Sequence, residues 1–113
     1  MKFTIYGQPC SKANSRRLVK FGNKPAFIKS EKALTYEKDF KSQCPQREDL
    51  FEENVKVTIT IYYQSRRPDL DESVILDCMQ GFIYKNDRQV KEKHIYWGLD
   101  ALNPRSDIEV EEI

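Results

Sequence analysis

Three carboxylates follow two arginines in the segment Arg66–Glu72, which reads RRPDLDE. Residues two apart in an extended chain point to the same side, so Asp69 and Asp71 can present their carboxylates together. Like charges held that close repel each other. A hard divalent cation such as Mg²⁺ or Mn²⁺ relieves the repulsion because it prefers oxygen ligands. A metal site for phosphate chemistry is therefore one interpretation of this segment.

Asp87 is the candidate for a third ligand, since it lies in the polar connection after the next predicted helix. If that helix runs antiparallel to the strand before Asp69, its exit can fold back past the end of the strand. One divalent ion would then position a water, and a second would stabilise the leaving oxygen. The alternative is structural, because Asp71 and Glu72 suit the start of a helix and Asp87 suits a turn. The spacing leaves both interpretations open.

The basic residues are concentrated in the first part of the chain. Residues 1–47 contain 11 Lys or Arg and 3 acids, whereas residues 48–113 contain 8 and 15. Residues 1–29 contain seven basic residues and no acid, and such a segment attracts a polyanion. A solubilising surface is the alternative that composition leaves open.

Length and composition predict one globular domain over residues 1–113, since 39% of the residues are hydrophobic and 33% are charged. No apolar run has the length of a membrane span or a signal-peptide core, so we expect neither a membrane protein nor a secreted one. Three cysteines without a C-x-x-C pair, together with a single histidine, argue against a disulfide scaffold and a zinc site. We expect three reduced thiols and a packed or half-exposed His94.

Alternation of apolar and polar residues predicts the strands. It is clearest over Val55–Tyr63 and is also present over residues 2–8. Val90–Gly98 and Ile108–Ile113 are predicted to be two further strands. Residues 103–107 have the composition of a turn. The segment 10–29 is predicted to be a basic loop, with a short hairpin at Val19–Phe27.

Two helices are predicted between these strands. Ser30 as N-cap and Pro45 as a stop delimit a helix over 31–44, whose apolar face consists of Ala33, Leu34, Tyr36, Phe40 and Cys44. Helical spacing of apolar residues predicts a second helix over 72–81, with Gly81 at its end. The expected fold is a small α+β sandwich of two helices on a mostly antiparallel or mixed sheet.

Two motifs together resemble the RusA family of Holliday-junction resolvases. The family pattern is R-R-x-D-L-D-N, followed after a helix by Y-K-D-D-x-Q-V. This chain has RRPDLDE at 66–72 and YKNDRQV at 84–90. The opening, from Gly7-Gln8-Pro9 to Arg16, is also similar to the first strand and basic loop of the family.

The resemblance implies a RusA-like, homodimeric fold and Mg²⁺-dependent cleavage of four-way DNA junctions, with Mn²⁺ as a possible substitute and no organic cofactor. It implies a bacterial or phage-encoded cytoplasmic enzyme. The three essential carboxylates, which are both catalytic and metal-binding, carry over to Asp69, Asp71 and Asp87. The residues expected to contact branched DNA are Lys12, Asn14, Arg16, Arg17, Lys20, Lys24, Arg66, Arg67 and Lys85.

The chain departs from the family pattern at three places. Glu72 stands where the family has Asn, and Asn86 replaces the first acid of the later pair. The family has a lysine about one turn into the helix after the first motif, and this chain has none there. The helix is also predicted to be two residues shorter than the helix of the family. Two hypotheses follow, namely that Glu72 is an extra ligand and that Lys85 replaces the lost charge.

Two alternatives to a junction resolvase are kept. In the first, the chain is a non-catalytic nucleic-acid-binding module whose acids cap a helix or pair with Arg66 and Arg67. In the second, it is a nuclease for other branched or single-stranded DNA, because nothing in the sequence encodes four-way geometry directly.

Overall fold

A four-stranded sheet and a separate two-stranded hairpin carry the fold in the computed structural model, which describes residues 1–11, 14 and 16–113. The strands are β1 (Lys2–Tyr6), β2 (Arg16–Phe21), β3 (Lys24–Lys29), β4 (Val55–Tyr63), β5 (Val90–Leu99) and β6 (Arg105–Glu112). The helices are α1 (Glu31–Gln43) and α2 (Ser73–Met79), and a 3₁₀ turn, Asp87–Gln89, precedes β5. The predicted α+β class, with a mixed sheet and two helices, is confirmed.

Strand β4 lies inside the sheet, whose order is β1-β6-β4-β5. It pairs antiparallel with β6 and parallel with β5, and a parallel pair needs a crossover, which α2 provides. Alternate residues of β4 are buried on the face that receives the helices: Val55, Val57, Ile59, Ile61 and Tyr63. The helices complete the core with Tyr36, Phe40, Ile75, Cys78 and Met79.

Helix α1 begins and ends where its caps predict. The Ser30 hydroxyl accepts a hydrogen bond from the Ala33 amide at 3.2 Å, and Pro45 follows the last turn. The prediction that Leu34 belongs to the buried face is wrong, since its side chain is 52% exposed. Leu34 follows Ala33 directly, and adjacent helical residues point about 100° apart.

Several element bounds differ from the prediction. The hairpin spans Arg16–Lys29 rather than Val19–Phe27, and β6 starts at Arg105, inside the predicted turn. Arg105-Ser106-Asp107 carries no apolar alternation, yet its backbone pairs with both β1 and β4, and Ser106 is fully buried. Pairing on both sides therefore overrides local turn preference here. Helix α2 ends at Met79, earlier than predicted.

Gly98 in β5 leaves room for the ring of Tyr62 in β4. A Cβ at Gly98 would lie 2.6 Å from the Tyr62 Cδ1 atom. The Arg105 guanidinium covers the Tyr62 ring at 4.1 Å and is held by an ion pair with Asp100 at 2.8 Å. The ring therefore has little freedom to move away from a larger residue at 98.

We predict that Gly98→Ala lowers the free energy of unfolding by about 1–3 kcal/mol, the usual cost of overpacking. Urea denaturation measures the change. In a Tyr62→Ala background the same substitution is expected to cost much less, because the obstructing ring is gone. An equal cost in both backgrounds would contradict this explanation.

Candidate active site

The segment after β4 turns back along the helix-facing side of β5. The Trp97 indole donates a hydrogen bond to the Pro68 carbonyl at 3.3 Å, and the Lys93 ammonium lies 2.7 Å from a Glu72 carboxylate oxygen. Trp97 is in register with Ile61 and Lys93 with Val57. Residues 68–72 thus run from the end of β4 toward its start, and they bring the acidic motif with them.

The Tyr63 hydroxyl fixes the backbone of this motif from the core side. It donates to the Asp69 carbonyl at 3.2 Å and accepts from the Asp71 amide at 3.1 Å. Tyr63 is 2% exposed, and its ring stacks on Trp97 with centroids 6.0 Å apart. One buried hydroxyl therefore sets the conformation between the two aspartates. The sequence analysis did not single out this residue.

Asp71 lies directly before Glu72, the N-cap residue of α2, whose own side chain makes no capping hydrogen bond. The Asp71 carboxylate accepts a hydrogen bond from the Ser73 amide at 3.0 Å and another from the Ser73 hydroxyl. The interpretation of Asp71 as the N-cap is therefore wrong by one residue, although its side chain supports the first turn of the helix. A side-chain oxygen that accepts from the first turn is what a cap requires, and Asn supplies it as well as Asp does.

The second motif, 84–90, lies at the start of β4 and not at its end. The Gln89 side chain accepts from the amides of Lys85 and Asn86 at 3.0 and 2.9 Å, and it donates to the carbonyls of Phe51 and Glu53 at 2.7 and 2.9 Å. The first two bonds close the motif on itself, and the last two attach it to the chain that leads into β4.

The expectation that the exit of the second helix returns past the end of β4 is therefore wrong. Because β4 and β5 are parallel, Val90 is in register with Val55, and the chain must return to the start of β4 before β5 begins. Asp87 comes into the neighbourhood of the first motif only because residues 68–72 run back along β5.

Asp87 lies against a carboxylate that the sequence analysis missed. Its amide donates to the Gln80 side chain at 3.0 Å, and its own carboxylate is next to that of Asp77. Burial first, and then the negative charge of Asp87, raise the pKa of Asp77. The spacing in the sequence could have indicated Asp77. It is one turn after Ser73 and therefore on the same helix face, and Ser73 contacts Asp71.

The acids of the two motifs line two concavities. Asp69 and Asp71 line the first, together with residues 7–11 and the outer side of α1. Glu72 and Asp87 line the second, together with Glu37 of α1 and Asp77 of α2. Ser73, which also lines the second concavity, hydrogen-bonds to Asp71 in the first, so the two adjoin.

The structure thus groups Asp69 with Asp71, and Asp87 with Asp77 and Glu72. Within the described part of the chain, no three His, Cys, Asp or Glu side chains are arranged to hold a metal ion together. The donors are nevertheless carboxylate oxygens, which are the ligands that a hard divalent cation takes. Their chemistry therefore fits such an ion, whereas their present side-chain arrangement does not combine all three predicted ligands.

The family model for the endodeoxyribonuclease RusA matches residues 7–111. The chain belongs to the RusA family. It is accordingly an endodeoxyribonuclease of the crossover-junction resolvase type, which hydrolyses phosphodiesters, and RusA-family resolvases are metal-dependent. This result decides against the non-catalytic binding module. A comparison with curated proteins gave no match. Among the described residues, no helix is long and apolar enough to cross a membrane.

In this RusA-family chain, part of the basic set borders the acids. Arg16 and Lys29, at the base of the hairpin, and Lys93 of β5 line the second concavity. Arg67 and Asn14 line the first, and the Asn14 carbonyl accepts a hydrogen bond from the Ser30 hydroxyl at 2.6 Å. Arg16 and Arg67 are placed where a phosphate backbone would approach the carboxylates, whereas the ammonium groups of Lys29 and Lys93 pair with Glu37 and Glu72 at 2.8 and 2.7 Å.

The other predicted DNA contacts lie farther out. Arg17 and Lys20 are exposed on the hairpin, and Arg66 is exposed after β4. The Lys85 ammonium pairs with Glu52 at 2.6 Å, at the start of β4. Lys12 lies outside the described residues. The roles of these residues in binding DNA stay predictions.

Proposed function

We propose that this RusA-family enzyme resolves four-way DNA junctions by Mg²⁺-dependent hydrolysis of a pair of phosphodiesters. The observation that carries the proposal is the adjacency of the two acidic concavities, joined at Asp71 and Ser73 and bordered by Arg16, Lys29 and Lys93. Metal-dependent hydrolysis of a phosphodiester requires acidic side chains that hold the cation and, beside them, basic side chains that hold the phosphate backbone.

In this proposal, Asp69, Asp71 and Asp87 hold the divalent ion, with Mn²⁺ as a possible substitute. The ion supplies a water of lowered pKa and stabilises the charge that develops on the leaving oxygen. The Tyr63 hydroxyl holds the backbone of the first two ligands, and Gln80 and Gln89 hold the turn that carries the third. Arg16 and Lys29 orient the DNA backbone toward the carboxylates.

Two features of the second concavity bear on the departures from the family pattern. Glu72 pairs with Lys93, so it acts as an extra ligand only if it leaves that ion pair. Asp87 likewise has to leave Asp77 to join Asp71. The negative charge of Asp87 helps to raise the pKa of Asp77, so ionisation of the two carboxylates side by side is unfavourable, and a cation held by Asp69 and Asp71 would offer Asp87 a more favourable partner.

A homodimer is part of the proposal because resolution needs two cuts in opposed strands. A pair of chains related by a two-fold axis supplies two equivalent sites for a substrate with two-fold character. Light scattering coupled to size-exclusion chromatography measures this state directly, and we expect twice the 13.4 kDa mass of one chain.

The function is tested by incubating the protein with a synthetic four-way junction, in Mg²⁺ and in EDTA, beside matched duplex and single-strand controls. We expect paired nicks that convert the junction into two duplexes in Mg²⁺, and no product in EDTA. Equal cutting of the linear controls would instead indicate a nuclease without four-way preference. Preferential cutting of a three-way junction or flap would indicate another branched substrate.

The shared metal site is tested by thermal melting during titration with Mg²⁺ or Mn²⁺. We expect the ion to raise the melting temperature of the unmodified chain, and the rise to be lost in both Asp69→Asn and Asp87→Asn. Loss in Asp87→Asn alone would assign the ion to the second concavity without Asp69.

A further inference from the structure

The hairpin β2–β3 carries an apolar pair on an otherwise basic surface. Residues 16–29 include five Lys or Arg and no acid. Leu18 and Phe27 are directly opposite each other in the hairpin and are 59% and 71% exposed. Two large apolar side chains that are opposed and this exposed form a patch rimmed by polar residues, and such a patch marks an interaction site.

The two faces of the hairpin are not equivalent. Opposed residues share a face, so one face carries Arg16 with Lys29, then Leu18 with Phe27, then Lys20 with Pro25. The other face carries the half-buried Val19, Ala26 and Ile28 beside the exposed Arg17, Phe21 and Lys24. All residues of the first face are exposed, so it is the more outward one, and its apolar pair lies between basic residues.

This outward face continues from the second concavity. Arg16 and Lys29 line that concavity together with Asp77 and Asp87. Leu18 and Phe27 are two residues farther along the hairpin, a rise of about 7 Å or roughly two base steps of a stacked strand. A DNA strand with a phosphate at the acids and its backbone on the basic residues would place its next bases over Leu18 and Phe27.

We propose that Leu18 and Phe27 form a stacking surface for a base exposed at the branch point of the DNA, within about two nucleotides of the cleaved phosphate. The proposal rests on the proposed function and adds how the enzyme distinguishes branched from linear DNA. A continuous duplex keeps its bases stacked on one another and offers no free ring face, whereas a branch point interrupts the stack. Aromatic side chains beside basic residues bind such bases without reading their sequence.

The test compares two phenylalanines of the same hairpin. Phe27 lies on the outward face, whereas Phe21, 65% exposed, lies on the opposite one with Lys24. Binding to a four-way junction and to a duplex of equal length is measured by fluorescence anisotropy in EDTA, which prevents cleavage. We expect Phe27→Ala to weaken junction binding about tenfold, on the scale of one stacked base, and to leave duplex binding within twofold.

Phe21→Ala is expected to bind both DNAs like the unmodified protein, and Phe27→Tyr, which keeps a ring, to retain junction binding. An equal loss for Phe21→Ala and Phe27→Ala, or an equal loss on junction and duplex, would overturn the proposal. A change from dimer to monomer in Phe27→Ala would overturn it in favour of contact with a second copy of the chain. If the unmodified protein cleaves junctions and Phe27→Ala binds them normally, only this inference fails and the proposed function stands.

Discussion

Asp71→Asn is expected to abolish junction cleavage while leaving the fold and junction binding intact. Asn keeps an oxygen that accepts from the Ser73 amide and hydroxyl, so the start of α2 is preserved. It removes the negative charge that a divalent ion requires. Loss of a partner that only orients a metal ligand costs about 10–100-fold in affinity or activity, so loss of a ligand is expected to exceed that range.

The measurement is the single-turnover cleavage rate on a four-way junction in Mg²⁺, with melting temperature and junction affinity determined on the same sample. Asp49→Asn is the matched control, because it removes the same charge at an exposed position away from both concavities. Binding by Asp71→Asn is expected to be equal to or tighter than normal, since one negative charge near the phosphates is gone. Cleavage at the normal rate would leave Asp71 with a structural role alone, through its hydrogen bonds to Ser73.

Tyr63→Phe is expected to have the second largest effect, although Tyr63 does not face the substrate. The substitution keeps the ring and its stacking on Trp97 but leaves the Asp69 carbonyl and the Asp71 amide without their buried partner. Loss of such a partner costs about 1–3 kcal/mol of stability. A shift of about 1 Å in the ligands is enough to reduce the rate roughly 100-fold.

The readout that separates positioning from simple destabilisation is the metal dependence of the rate. We expect Tyr63→Phe to lower kcat, to leave KM for the junction unchanged, and to need more Mg²⁺ for half-maximal rate. Tyr62→Phe, the neighbour on the opposite face of β4, is the matched control and is expected to cleave normally. A rate that falls only in proportion to the unfolded fraction, with unchanged Mg²⁺ dependence, would assign Tyr63 a purely structural role.

The sequence predicts those parts of the fold that local chemistry determines. The alternation in Val55–Tyr63 specifies a strand with one buried face, and Ser30 and Pro45 delimit α1 because a cap and a missing amide act within one turn. Asp69 and Asp71 were predicted to lie together for the same reason, as their separation is two residues. The start of β6 was missed because partners on both sides determine it.

The relative position of the two motifs depends on pairing between distant segments, which local sequence patterns do not predict. The sequence does not state that β4 and β5 are parallel, and this pairing places the motif of Asp87 at the start of β4. Nor does it state that Pro68 and Glu72 dock on β5, which is what shortens the path between the two motifs. The contact of Asp77 with Asp87 depends on the turn after α2, so it could not be predicted from local sequence either.

The central claim is that one divalent ion binds Asp69, Asp71 and Asp87 together. Anomalous diffraction from crystals grown with Mn²⁺ locates the ion directly. We predict a single strong peak about 2.1 Å from carboxylate oxygens of all three residues, with Asp87 moved away from Asp77. A peak held by Asp77 and Asp87 without Asp69 or Asp71, or no peak at either concavity, would contradict the account.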